Sequence, residues 1–254
     1  MKKLYTLLAL TITFSMNAQV STNSTSPTGV YASAMGNGTT ASGNESTAMG
    51  YDTTASGEAS TAMGYKTTSS AQASTAMGKL TTASDYASLV IGQYNSSGSS
   101  VTNSATSFST SNTAFVIGNG ADASNKSDAF KVMFNGDTTV SNDLTVSGDV
   151  VISSDARLKS NIVSLGSTLP KLLQIDGKSY EMKGQQKIGV LAQEIQEVFP
   201  ELVSEDDNEM LAVNYQGLVP VLINALKEQQ SEIDELKEQE KRIERLEKLV
   251  ANID

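Results

Sequence analysis

Glycine returns every 14 residues in the first half of this chain, at Gly36, Gly50, Gly64, Gly78 and Gly92. Met35, Met49, Met63 and Met77 precede the first four, and Ile91 precedes the fifth. Threonine pairs keep the same phase at Thr39-Thr40, Thr53-Thr54, Thr67-Thr68 and Thr81-Thr82. A fixed period of this kind means one structural unit stacked on itself. The unit is too short for a helical hairpin. Its Thr, Ser, Ala and Gly suit two short strands joined by tight glycine turns. Each repeat is therefore expected to form one coil of a parallel β-solenoid. Ala and Met are expected to point inward, with Ser and Thr lining the outside.

Such a coil has little to bury. Between Tyr31 and Lys79 there is no Leu, Ile, Val or Phe. Apolar burial stabilises by roughly 25 cal/mol per Å², so a narrow coil of Ala and Met is marginal alone. Several copies packed side by side would cover the remaining apolar face, and an obligate oligomer is expected. A disordered Ser/Thr-rich stalk is the alternative reading. Constant register through five repeats argues against it.

The N-terminus reads as an address. Lys2 and Lys3 precede an apolar run from Leu4 to Phe14, and Ser15-Met16-Asn17-Ala18 offers small residues for cleavage before Gln19. This is the pattern of a secretory signal, assigned to residues 1–18. The run is shorter than the roughly 20 residues that span a bilayer. No second hydrophobic stretch follows, so the mature chain is expected to be secreted or at the cell surface, without a membrane span. The chain has no Cys, His or Trp. That excludes disulfides, a lipoprotein anchor, zinc-finger sites and any triad built on histidine. The formal net charge of -10 argues against nucleic acid as a partner, because such binders need a basic patch. No cofactor or metal site is expected. Asp122 and Asp128 do not lie in a calcium-loop pattern and read as turn residues.

The A-M-G and V-I-G steps of the repeat resemble the head repeats of trimeric autotransporter adhesins. The similarity covers about Ala32 to Gly136. It continues in Ala114-Phe115-Val116-Ile117-Gly118-Asn119-Gly120 and ends in Ser127-Asp128-Ala129-Phe130-Lys131-Val132. The resemblance implies a left-handed parallel β-roll assembled as a homotrimer, here over residues 19–136. Those adhesins end in a membrane β-barrel anchor, for which this sequence shows no counterpart. Export through a barrel of its own is therefore not expected.

Residues 137–153 form a connector in which Val140, Leu144, Val146, Val150 and Ile152 alternate with polar residues. The alternation predicts short strands. It resembles the β-strand shaft before the C-terminal domain of phage tail fibres.

Ser153-Ser154-Asp155-Ala156-Arg157-Leu158-Lys159 follows. A Ser/Asp pair before a helix-compatible run reads as an N-cap. The chemical reading is a Ser-Lys dyad, since lysine is the conventional base left when histidine is absent. With Ser154 at the N-cap of a helix, Lys159 lies roughly 7.5 Å along the axis, and helical side chains tilt back toward the N-terminus. The lysine must lose a proton to act as a base. A neighbouring cation such as Arg157 favours this, and Asp155 opposes it.

The stretch Ser154-Asp155-x-Arg157-Leu158-Lys159-x-Asn161-Ile162 resembles the opening of the intramolecular chaperone domain of phage endosialidases and tail fibres. The similarity runs on through Lys187 to Ile195, Val198 to Val203, Leu211 to Tyr215 and Leu218 to Leu222. In that family the matching serine and lysine cut the chain beside the serine. The resemblance implies catalytic roles for Ser154 and Lys159, and a chaperone that gathers three chains and then removes itself.

The C-terminal part is the charged part. Of 18 basic and 28 acidic residues, 31 lie from Ser154 onward. A small α+β domain is expected over residues 154–217, with helical spacing from Ile188 to Val198 and a short strand from Leu211 to Tyr215. Residues 218–254 read as one long helix. Leu222, Leu226, Ile233, Leu236, Ile243, Leu246, Val250 and Ile253 give it the steps of a trimeric coiled coil. Glu240 weakens the seam, and Pro220 is tolerable only near the helix start. Two functions compete. One is a secreted homotrimeric fibre, adhesin-like, with a self-cleaving serine peptidase at its C-terminus. The other is a permanent trimeric surface adhesin whose C-terminal domain only trimerises. Exposed Ser, Thr, Asn and Tyr of the head suit a glycan or matrix ligand that the sequence does not identify.

Overall fold

The structure is a computed structural model and describes residues 23–206 and 209–251. The segment assigned as a secretory signal lies outside the described residues. The chain divides between Val150 and Val151 into two compact units.

The first unit is a β-solenoid with one sequence repeat per coil. Each coil carries a five-residue strand and a two-residue strand. The long strands are β2 (Ser33–Asn37), β4 (Thr47–Tyr51), β6 (Thr61–Tyr65), β8 (Thr75–Lys79) and β10 (Leu89–Gln93). The short ones are β1 (Ser26–Pro27), β3 (Thr40–Ala41), β5 (Thr54–Ala55), β7 (Thr68–Ser69) and β9 (Thr82–Ala83). Each set forms its own parallel sheet, and neighbours sit one repeat apart: Thr47 opposite Thr61, Met49 opposite Met63, Thr54 opposite Thr68. The corners hold the ladder too. Lys66 N donates to Tyr51 O at 2.8 Å and Ala59 N to Asn44 O at 2.8 Å, though both residues adopt left-handed backbone (φ 53°). Such a conformation is unfavourable for a residue with a side chain. The coil-to-coil bonds at each corner offset it.

The interior differs from the expected one. Ala48, Ala62 and Ala76 are fully buried, but so are Thr53, Thr67, Thr81, Ser46 and Ser74. The methionines face outward, with Met63 at 36% and Met77 at 38% exposure. Strand side chains alternate between faces, so placing Ala48 inside sends Thr47 and Met49 outside. The adjoining glycine is obligatory for a separate reason. Gly50 has φ +126°, and a Cβ there would lie 2.0 Å from the carbonyl oxygen of Gly64 in the next coil.

The repeat ends in two side chains. Asn95 stands one repeat after Thr81. In earlier coils the backbone carbonyl at this position receives the bond, as when Thr68 N donates to Thr81 O at 2.8 Å. Here Thr82 N donates instead to Asn95 Oδ1 at 2.8 Å, and Asn95 Nδ2 returns a bond to Thr82 O at 2.9 Å. The amide takes the place of a further strand in the short-strand sheet. Asp85 is fully buried and accepts from Thr102 N at 2.6 Å, Thr102 Oγ1 at 2.8 Å and Thr113 N at 2.8 Å. It ties down the insertion that separates β10 from β11 (Thr113–Asn119), where Leu89 pairs with Phe115. Antiparallel β12 (Asp128–Met133) and β13 (Thr138–Val140) complete the long-strand sheet.

Strands expected throughout the connector appear only in β13. Leu144, Val146, Val150 and Ile152 alternate as a strand would, yet among the described residues no ladder partner lies beside them, and all four are exposed. Alternation fits a residue to a pleated surface but does not supply the neighbouring strand.

The second unit opens with a 3-10 turn at Ala156–Leu158 and the single-turn helix α1 (Leu169–Leu172). Two hairpins follow, β14 (Lys178–Met182) with β15 (Gln185–Gly189), and β16 (Val203–Glu205) with β17 (Leu211–Val213). Helix α2 (Ala192–Val198) lies between them in sequence, and α3 (Leu218–Ala251) ends the described chain. The helix expected from Ile188 starts at Ala192 because Ile188 and Gly189 pair with Ser179 and Lys178 in the hairpin. The core joins Ile195, Phe199 and Val221, flanked by Leu172, Ile175, Val190 and Leu202. Pro220 is the third residue of α3, where its missing N–H has no intrahelical acceptor to lose. The 34 residues of α3 span about 51 Å. Its apolar seam is bare: Leu226, Leu236, Ile243, Leu246 and Val250 are all more than half exposed. Among the described residues no helix is long and apolar enough to cross a membrane.

Candidate functional site

Ser154 lies in irregular chain just before the 3-10 turn. The turn is capped by Asp155 rather than by Ser154: Asp155 Oδ1 accepts from Arg157 N at 2.8 Å. Leu158 N bonds Asp155 O and Lys159 N bonds Ala156 O, both at 3.1 Å, and Lys159 then returns to extended backbone (φ -119°, ψ 147°). No α-helix forms here, so the helical route expected to join serine and lysine is not the one used. The single tight turn brings them together nonetheless. Lys159 Nζ donates to Ser154 Oγ at 2.8 Å.

Asp155 does more than cap. Its Oδ1 also accepts from Arg157 Nε at 3.0 Å, and its Oδ2 accepts from Arg157 Nη2 at 2.7 Å. The Arg157 side chain, followed by its backbone N–H, holds the Asp155 carboxyl below the usual carboxylate range, and Asp155 in turn raises the guanidinium. From sequence alone these two residues are expected to act on Lys159 in opposite senses. The structure pairs them with each other. An acid two residues before an arginine was the available signal.

A second anchor was not legible in sequence. Glu228 on α3 accepts from Ser167 Oγ at 2.7 Å and Thr168 N at 2.6 Å. These bonds, Ser167 first, lower the Glu228 pKa. Thr168 is buried and donates its hydroxyl to Val221 O at 3.0 Å. The chain downstream of the serine and lysine is thus fastened to the long helix.

Elsewhere, Asp122 is a turn residue whose oxygens receive Asn125 Nδ2, Ser124 N and Asn125 N, which lower its pKa. Asp128 is not a turn residue. It opens β12 and accepts from Ser96 N at 2.9 Å and Ser97 N at 2.7 Å across the sheet end. An open groove of about 640 Å³ in the second unit is lined by Tyr180, Val190, Gln193, Met210 and Tyr215, and neither Ser154 nor Lys159 borders it. Among the described residues no three acidic side chains gather as metal ligands would.

Comparison with known families gives two matches. Residues 28–53, 41–67 and 55–81 match the YadA head domain repeat. Residues 154–204 match the chaperone of endosialidase, a peptidase S74 domain. This chain pairs a YadA-like head with an endosialidase-chaperone-like domain. No curated protein matches the chain. The chaperone match begins at Ser154 and includes Lys159, Asp155 and Arg157. It stops at Ser204, so α3 lies beyond it. The head match covers the regular repeats and stops before the insertion held by Asp85.

Proposed function

We propose that this protein is an exported homotrimeric fibre with an adhesin-like head, whose C-terminal domain gathers three chains and then cuts itself away beside Ser154. The observation that carries the reading is the 2.8 Å approach of Lys159 Nζ to Ser154 Oγ, at the position where the similarity to the endosialidase chaperone begins. In its neutral form the Lys159 amine accepts the hydroxyl proton as Ser154 Oγ bonds to a peptide carbonyl carbon. The C–N bond then breaks, and the proton passes to the departing amine. Water hydrolyses the resulting ester and restores the hydroxyl. Ring size favours the Ser153–Ser154 bond. Oγ reaches the carbonyl of Ser153 through a five-membered ring, whereas its own carbonyl would demand a four-membered one.

Three chains are supported by the YadA-like head and by the bare seam of α3, whose Leu236, Ile243 and Val250 are more than half exposed among the described residues. A β-rich fibre exposes strand edges while it assembles. A removable domain that fixes register suits that problem, and its loss makes assembly irreversible.

The test is the mass of the mature chain after full denaturation, compared with Ser154→Ala and Lys159→Ala. Two fragments from the wild type, with both variants intact, support the reading. An intact wild type would point instead to a permanent surface adhesin with a purely trimerising C-terminal domain.

A further inference from the structure

Self-cleavage at Ser154, on which this inference rests, requires that Lys159 stay with the hydroxyl. Lys159 lies five positions after Ser154, and an extended path of that length spans roughly 16 Å. The 3-10 turn shortens it, and Asp155 Oδ1 capping Arg157 N is the side-chain bond that holds the turn. The same carboxylate is also the nearest competitor for the lysine. It sits one residue from Ser154, and a carboxylate attracts an ammonium more strongly than a hydroxyl does. A lysine captured by Asp155 would be lost as a base twice over. It would be drawn away from Oγ, and a neighbouring negative charge favours its protonated form.

Arg157 blocks that capture. Its guanidinium fills both Asp155 oxygens in the fork geometry that lysine lacks, at 3.0 and 2.7 Å. The pair is exposed, with Arg157 at 89% and Asp155 at 45%, so it adds little to folding stability. We infer that Asp155 and Arg157 are positioning residues for the cleavage: Asp155 folds the turn that returns Lys159 to Ser154, and Arg157 occupies the Asp155 carboxylate so that the lysine remains free for the serine. Neither touches the serine hydroxyl.

The experiment follows release of the C-terminal fragment from the full chain over time and across pH. Wild type, Asp155→Ala, Asp155→Asn, Arg157→Gln and the double variant Asp155→Asn/Arg157→Gln are compared, with Ser154→Ala as the uncleaved control. Light scattering on each variant in the Ser154→Ala background establishes that the assembly matches the control. Asp155→Ala loses the cap and slows release at least tenfold. Asp155→Asn keeps an oxygen acceptor for Arg157 N and stays within about threefold of wild type. Arg157→Gln frees the carboxylate, slows release at least tenfold and moves the pH–rate profile toward alkaline pH. The double variant removes the competing charge and recovers to within about threefold of wild type. A merely structural arginine would give no such recovery. Equal rates for wild type, Asp155→Ala and Arg157→Gln overturn the inference, as does failure of Asp155→Asn to restore Arg157→Gln. If the wild type itself never cleaves, the cleavage reading fails first and takes this one with it.

Discussion

In the regular coils of the head, from Thr39 to Ala83, the side chains with no exposure belong to alanine, threonine and serine; in the C-terminal unit, the buried apolar residues are Ile195, Phe199, Val221 and Ala225. The head is ordered by backbone. Every coil repeats the register of the last, down to the corner bonds of Ala59 and Lys66. The C-terminal unit is ordered by a small apolar core set against the first turns of α3, while the rest of that helix leaves its leucines and isoleucines uncovered. One region derives its fold from hydrogen bonds between like strands one repeat apart. The other derives its fold from side chains and carries spare apolar surface along α3.

The sharpest way to break the comparison is to give the head a side chain where only backbone fits. Gly64 has φ +126°, and a Cβ there would lie 2.1 Å from Gly78 O. Gly64→Val should destabilise the head by about 4 kcal/mol or more, read as a collapsed melting transition. A melting temperature within a few degrees of wild type would show that the coils are not locked by their backbones.

Acid tests the other region. Glu228 has its pKa lowered below 4.5 by Ser167 and the Thr168 amide. A depressed carboxylate contributes stability that is fully present above the unfolded value and is lost as pH falls through the folded one. Amide exchange at Thr168 and Leu169 should therefore accelerate, relative to its intrinsic rate, as pH drops below about 4.5, while the coil-to-coil amides of the head do not follow. Glu228→Gln should remove that pH dependence. An unchanged profile in the variant would dismiss the clamp.

The smallest effect runs the opposite way. The buried hydroxyls of Thr39, Thr53 and Thr67 have no hydrogen-bond partner. Thr53→Val keeps the shape and removes an unsatisfied polar atom, so it should stabilise the head by about 1 kcal/mol, a few degrees in melting temperature. A loss of stability would mean that the hydroxyl is satisfied in solution and that the interior of the head is wetter than this packing implies.

The period alone gave the solenoid, because 14 residues with glycine at a fixed phase leave few alternatives. It misled on Met49 and Met63, where apolarity suggested the interior and strand alternation decided otherwise. The approach of Lys159 to Ser154 was legible in their spacing, although a 3-10 turn capped by Asp155, not a helix capped by Ser154, joins them. Asp85, Asn95 and Glu228 left no trace in local sequence. Asp85 binds Thr113 and Glu228 binds Thr168, and partners so distant acquire meaning only once the chain is folded.

A rod made by copying one module has no natural length. At residue 95 a single side chain impersonates the peptide of a further copy, donating and accepting where that copy would have done so. Growth of the short-strand ribbon halts there without leaving hungry backbone groups for a stranger to adopt. Duplicated modules inserted upstream would make a taller rod and leave its finial untouched.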